Sequence, residues 1–176
     1  ATLFKEIILK SENDKKIIKT LNSSGTSGVN TSKIFLDENN AKNQKIVLSK
    51  ILRHVIGKER LPMLIIAQDP INIINRNSLS AKYAAIFGFS IFGKNHVYLL
   101  NEKDEINYLK LNNFLNKYSK KKFLVFGFTS NIYEYLLKKL SLNKIKKNFK
   151  QAILIHGGGW KKMLDKKITN IKFRNK

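Results

Sequence analysis

Three short, unbroken apolar runs are separated by stretches of helical period: Met63-Leu64-Ile65-Ile66-Ala67, Phe123-Leu124-Val125-Phe126 and Ala152-Ile153-Leu154-Ile155. A run of four or five such residues is too short for a buried helix and suits a strand covered on both faces. His96-Val97-Tyr98-Leu99-Leu100 reads as a further strand. Between these runs lie candidate helices. The longest spans 38–56, with Asp37 as N-cap, apolar residues from Ala41 to Ile56 near helical spacing, and Gly57 as its stop. Others are expected over 80–87, entering a Gly88/Gly93 loop, over 102–118, and after Thr129 or Ser130 as a cap. Strand and helix in alternation argue for an α/β fold, a layered, largely parallel sheet with flanking helices. Such sheets bind ligands at the carboxyl ends of their strands.

Two loops of small residues carry the chemistry. Asn22-Ser23-Ser24-Gly25-Thr26-Ser27-Gly28 separates the run Ile17-Ile18-Lys19-Thr20-Leu21 from Ser32-Lys33-Ile34-Phe35-Leu36. Glycine lets backbone N–H groups approach an anion, and Ser and Thr add donors without bulk, so the loop suits a phosphate. No Gly-Lys-Ser/Thr closes it, so it is not a Walker A loop. A polar hairpin between two strands would use the same residue types. The second loop, His156-Gly157-Gly158-Gly159-Trp160-Lys161-Lys162, follows the last apolar run. Its glycines offer bare backbone to a flat ring or a phosphate, Trp160 could wall the slot, and Lys161 or Lys162 could meet an anion. In the competing reading the glycines serve a turn and Trp160 packs as core.

Composition narrows the classes. The 176 residues and a hydrophobic fraction of 43% suit a single globular domain, 1–176, with a real core. There is no cysteine, hence no disulfide and no thiolate ligand, which fits a reducing, cytoplasmic setting. No apolar run approaches the ~20 residues of a membrane span. The formal charge of +22, from 34 Lys and Arg against 12 Asp and Glu, favours polyanions and raises non-specific nucleic-acid binding as an alternative function. That surplus is nearly all lysine, accompanied by much Asn and Ile, which is the residue usage of AT-rich coding sequence. The histidines, His54, His96 and His156, sit in three different elements, and no metal-ligand spacing joins them. Asp69, at a strand end, could bind Mg²⁺ or cap the Pro70 turn, and the turn is the simpler assignment.

In order, Ser23-Ser24-Gly25-Thr26-Ser27-Gly28, Phe87-Gly88-Phe89-Ser90, Phe126-Gly127-Phe128-Thr129 and Ile155-His156-Gly157-Gly158-Gly159-Trp160-Lys161-Lys162 resemble the motifs of the LuxE-like acyl-protein synthetase family, a branch of the adenylate-forming ligases. The likeness runs from about Thr20 to the end of the chain. It implies the N-terminal portion of an enzyme that uses ATP and Mg²⁺ to convert a carboxylic acid to acyl-AMP, then passes the acyl group to a thiol or protein acceptor. It implies further that Ser23 to Gly28 hold the departing pyrophosphate and that Gly157 to Gly159 border the adenine, with Trp160 and Lys161 as further nucleotide-binding residues and His156 at the crevice in either a binding or a packing role. Val29-Asn30-Thr31-Ser32-Lys33 replaces the Gly-x-Pro-Lys closure common among adenylate-forming ligases. The Tyr-Gly…Glu-type segment, the later ribose-binding Asp and a small domain carrying a Lys are not in this sequence. The resemblance therefore implies about half of an active site and leaves the catalytic residues unassigned.

Overall fold

The computed structural model describes residues 7–8, 10, 16–22, 33–72, 81–139, 148–160 and 168–174. Internal contacts divide the chain into two units, Ala1–Lys58 with Ser80–Lys82, and Glu59–Leu79 with Tyr83–Lys176.

In the first unit, β1 (Ile17–Asn22) and β2 (Lys33–Asp37) form an antiparallel pair whose register ends at Asn22↔Lys33. That pairing brings together the two ends of the Ser/Gly loop. Ser23 to Gly28 themselves lie outside the described residues. Ile34 and Leu36 share one face of β2, and burial rises along it, from Ile34, 55% exposed, to Leu36, which is buried next to the start of the following helix. Helix α1 (Glu38–Ile56) follows directly. Its start is the expected one: the Asn40 backbone N–H donates to Asp37 Oδ1 at 2.7 Å, and the Asn40 amide donates to Oδ2 at 2.9 Å. Its end is Gly57 at φ 87, whose N–H donates to the Arg53 carbonyl; this left-handed angle is where a side chain is disfavoured.

The second unit is built on a four-stranded sheet in the order β4-β3-β5-β6. The strands are β3 (Leu61–Gln68), β4 (Gly93–Leu100), β5 (Phe123–Phe128) and β6 (Ala152–Gly157). Every pairing is parallel, so each strand needs a crossover before the next. Helix α2 (Ala81–Ser90) precedes β4, α3 (Tyr108–Tyr118) precedes β5, and α4 (Thr129–Asn131), continued by the π-helical turns Ile132–Lys139, lies between β5 and β6. A short α5 (Asn170–Arg174) follows β6. The expected α/β class and parallel sheet are what the structure has.

The two central strands make the core. Leu64, Ile65 and Ile66 on β3 are fully buried, as are Phe123, Leu124 and Val125 on β5. Leu111, Phe114 and Leu115 of α3, and Ile132 at the start of the π-helical turns, pack in one cluster with Leu64, Ile66, Phe123 and Val125. β6 departs from the reading of a strand buried on both faces. It pairs only with β5 among the described strands, and Leu154 is 38% exposed.

Three boundaries also differ from expectation. Helix α2 runs on through Gly88 to Ser90, where the Ser90 hydroxyl donates to the Phe87 carbonyl. β4 begins at Gly93, three residues before His96. Helix α3 starts only at Tyr108, because Asn101 organises the preceding segment as a turn. Asn101 Oδ1 accepts from the N–H groups of Lys103 and Glu105, Asp104 stands at φ 57, and Ile106 bridges back to Leu100. Asn107 then caps the helix by accepting from the Lys110 N–H. Asn side chains that bond nearby backbone compete with helix in this way.

Candidate functional site

The chain leaves β3 toward β4 on one side and leaves β5 toward β6 on the other. The carboxyl ends of β3 and β5 are therefore the switch point of the sheet, where open parallel sheets form a crevice. Gly127 closes the packing there. A Cβ added to it would stand 2.9 Å from Ile132 Cδ1 and 3.0 Å from Ile66 Cβ, so the absent side chain lets α4 seat against the ends of both strands. The Asn131 side chain fastens the same corner, donating to the Ile66 carbonyl at 3.1 Å.

From this corner Thr129 reaches across to the glycine turn after β6. Its Oγ1 lies 2.8 Å from the Gly158 carbonyl, 3.1 Å from the Gly157 carbonyl and 3.1 Å from His156 Nδ1. A hydroxyl donates one proton, and the shortest contact gives that proton to Gly158. An Nδ1–H on His156 can then donate to Oγ1. Sequence reasoning missed this role by treating Thr129 as a helix cap; the helix N-cap is Phe128, with no side-chain cap bond. The signal was the register, since Phe128 pairs with Gly157 and sets Thr129 beside the turn.

The three glycines differ physically. Gly158 adopts φ 75, and a Cβ there would lie 2.9 Å from Phe128 Cδ1. Gly157 and Gly159 have nothing within 4 Å of an added Cβ, and all three are exposed. The outcome is a pinned strip of bare backbone open to solvent. Trp160 does not stand free beside it. It is half-buried, edge-on to Tyr133 at 5.1 Å and to Phe173 at 6.2 Å between ring centroids. His156 is exposed, with its ring 4.9 Å from that of Phe173. This aromatic group buttresses the turn from one side. Lys161 lies outside the described residues.

Carboxylates border the neighbouring strand ends. Asp69 closes the Pro70 turn by accepting from the Ile71 N–H at 3.1 Å, the simpler of its two expected roles. Burial, then the negative charges of Asp104 and Asp69, raises the Tyr83 phenol above its usual pKa; burial, then Asp69 and Tyr83, does the same to Tyr98. Among the described residues no group of three His, Cys, Asp or Glu side chains could hold a metal ion. No helix among them is long and apolar enough to cross a membrane.

A parallel α/β sheet with a glycine strip at the carboxyl end of β6, next to β5 of the switch point, belongs to the class of folds that hold a ligand at strand termini. The chain matches the family described as Acyl-protein synthetase, LuxE, over residues 1–176, and it belongs to that family. No curated protein and no solved structure matches it. The family suggests a ligase-like enzyme with an acyl substrate and a protein or thiol acceptor.

Proposed function

We propose that this chain carries part of the site of an ATP-dependent carboxylate-activating enzyme, in which a carboxylate oxygen attacks the α-phosphorus, acyl-AMP forms and pyrophosphate leaves. The acyl group then passes to a thiol or protein acceptor. One observation carries the reading: Thr129, just past the carboxyl end of β5, donates to the Gly158 carbonyl just past the carboxyl end of the adjacent parallel strand β6.

A purine needs a flat, side-chain-free surface, and Gly157 and Gly159 face open space where a Cβ would otherwise project. Those residues fit the adenine. Because Thr129 and the Phe128 ring already fix the strip, binding would not have to order it, and preorganisation of this kind raises affinity. The residue types of Ser23 to Gly28 suit a phosphate-holding role, since small residues and hydroxyls give N–H and O–H donors that position phosphates and stabilise the charge on a leaving pyrophosphate. Mg²⁺ would arrive on the nucleotide and neutralise phosphate charge.

The test is carboxylate-dependent exchange of labelled pyrophosphate into ATP, run with the complete protein over fatty, amino and aryl acids. Exchange with one class is the expected outcome. Silence with all three would refute the reading. The charge-based alternative, non-specific nucleic-acid binding, predicts affinity for RNA and DNA alike that falls steeply with salt.

A further inference from the structure

The outer edge of the sheet carries a second built feature, at the far edge from β6. β4 ends the strand order, and its ladder with β3 slips by one residue, Pro62 pairing with Lys94 but Leu64 with Val97. The extra residue falls at Asn95 and His96. Asn95 stands at φ 49, a left-handed conformation that Asn tolerates better than most side chains. Bulges on edge strands re-aim side chains and gather near functional sites. Here the Asn95 amide donates to the Tyr118 phenol oxygen on α3 at 3.0 Å, and His96 Nε2 lies 2.8 Å from the Ser90 carbonyl. A carbonyl only accepts, so Nε2 carries the proton.

The bulge and α3 enclose an open groove of about 450 Å³, within the range of small-ligand sites. Phe114 and Val97 supply its apolar lining. Lys110, Asn113 and Lys117 line it from α3 at the i, i+3, i+7 spacing of one helix face. Its two ends differ. Asp69, the one acid among the lining residues, lies beyond the carboxyl end of β3, where α3 begins and Lys110 sits. At the Tyr118 end the Lys117 ammonium is 5.4 Å from the Tyr118 ring centroid. There the Tyr118 oxygen already accepts from Asn95, which leaves its O–H to donate. Lys120, Lys121 and Lys122 follow, and no acid occurs between Glu105 and Glu134.

The geometry points to a binding site for a small organic phosphate monoester, with its phosphate at Lys117, Tyr118 and Asn113 and its apolar body against Val97 and Phe114. Donors cluster at one end, as a phosphate with three acceptor oxygens needs, and the carboxylate at the other end disfavours a continuous polyanion. The site is separate from the glycine turn and does not depend on the ATP reading.

The test is an NMR titration of the full chain with phenyl phosphate. Saturable shifts of the Asn95, His96, Asn113 and Lys117 amides are expected. Lys117→Met, which keeps the apolar stem, should weaken binding at least about tenfold, as loss of a charge-assisted hydrogen bond would. Lys120→Met removes the same charge and should change affinity less than about twofold, since exposed charges at a distance are screened. Tyr118→Phe should also weaken binding while Trp160 fluorescence stays native. Equal losses for the two lysine variants, equal binding of benzyl alcohol, no saturable shift, or tighter binding of single-stranded RNA to these same residues would each overturn the proposal.

Discussion

Replacing Gly158 with alanine separates the architecture of the turn from its proposed use. At φ 75 an L-residue pays about 1–2 kcal/mol for the left-handed conformation. The new Cβ would also stand 2.9 Å from Phe128 Cδ1, so the ring must move by a few tenths of an ångström. Phe128 is only half-buried, and with the shift of its ring the total cost is about 1–3 kcal/mol. The readout is built in: Trp160 is the single tryptophan of the chain and packs on Tyr133 and Phe173 two residues away. Urea unfolding followed by its fluorescence should show a lower midpoint for Gly158→Ala, with an unchanged slope. Gly159→Ala is the control. An added Cβ meets nothing within 4 Å and no left-handed angle is required, so its midpoint should stay within about 0.5 kcal/mol of the parent. Under the proposed function that same Cβ would project where adenine lies, so Gly159→Ala should lose ATP affinity while keeping stability. A neutral Gly158→Ala, or a Gly159→Ala that unfolds as easily, would refute the reasoning.

Other perturbations test neighbouring links. Thr129→Val keeps the shape but loses the hydroxyl, and should cost about 0.5–1.5 kcal/mol in urea unfolding, the worth of one hydrogen bond despite three short contacts; Thr129→Ser should restore it. Gly93→Ala would place a Cβ 2.5 Å from Met63 Sδ and 2.6 Å from Met63 Cβ, and this overpacking between β3 and β4 should destabilise by about 1–3 kcal/mol. The phenols of Tyr83, Tyr98 and Tyr135 are raised, chiefly by burial and then by nearby carboxylates. The folded state therefore holds these protons longer than the unfolded chain does. Their contribution is complete below the usual phenol value of about 10 and is lost as pH rises through the folded values. Spectrophotometric titration should show late-ionising tyrosines, and stability should fall over that window.

Elements whose signals are local were legible in the sequence. Asp37 and Gly57 mark helix α1 because each acts on backbone within four residues of itself. The runs at Met63 and Phe123 gave the central strands because apolar side chains on both faces leave no other covered arrangement. The misreadings have non-local or competing causes. Leu154 looks like core, yet its strand pairs only with β5 among the described strands, a fact set by topology. Gly93, Lys94 and Asn95 look like loop because an edge strand with a bulge tolerates polar residues. At 102–107 the apolar spacing suggested helix, but the Asn101 side chain outcompetes it for backbone N–H groups. At the candidate site the glycines were visible and their tether was not. The bond from Thr129 spans 29 residues to Gly158, and only the pairing of β5 with β6 brings the two together.

The central claim is that the carboxylate attacks the α-phosphorus of ATP. Supplying the complete protein with an acid whose carboxylate carries heavy oxygen, and weighing the nucleotide and phosphate products, tests that claim most directly. Once the acyl group has been transferred, the account expects one label in AMP and unlabelled pyrophosphate. Label in inorganic phosphate, with ADP as the nucleotide product, would mean attack at the γ-phosphorus and would contradict it.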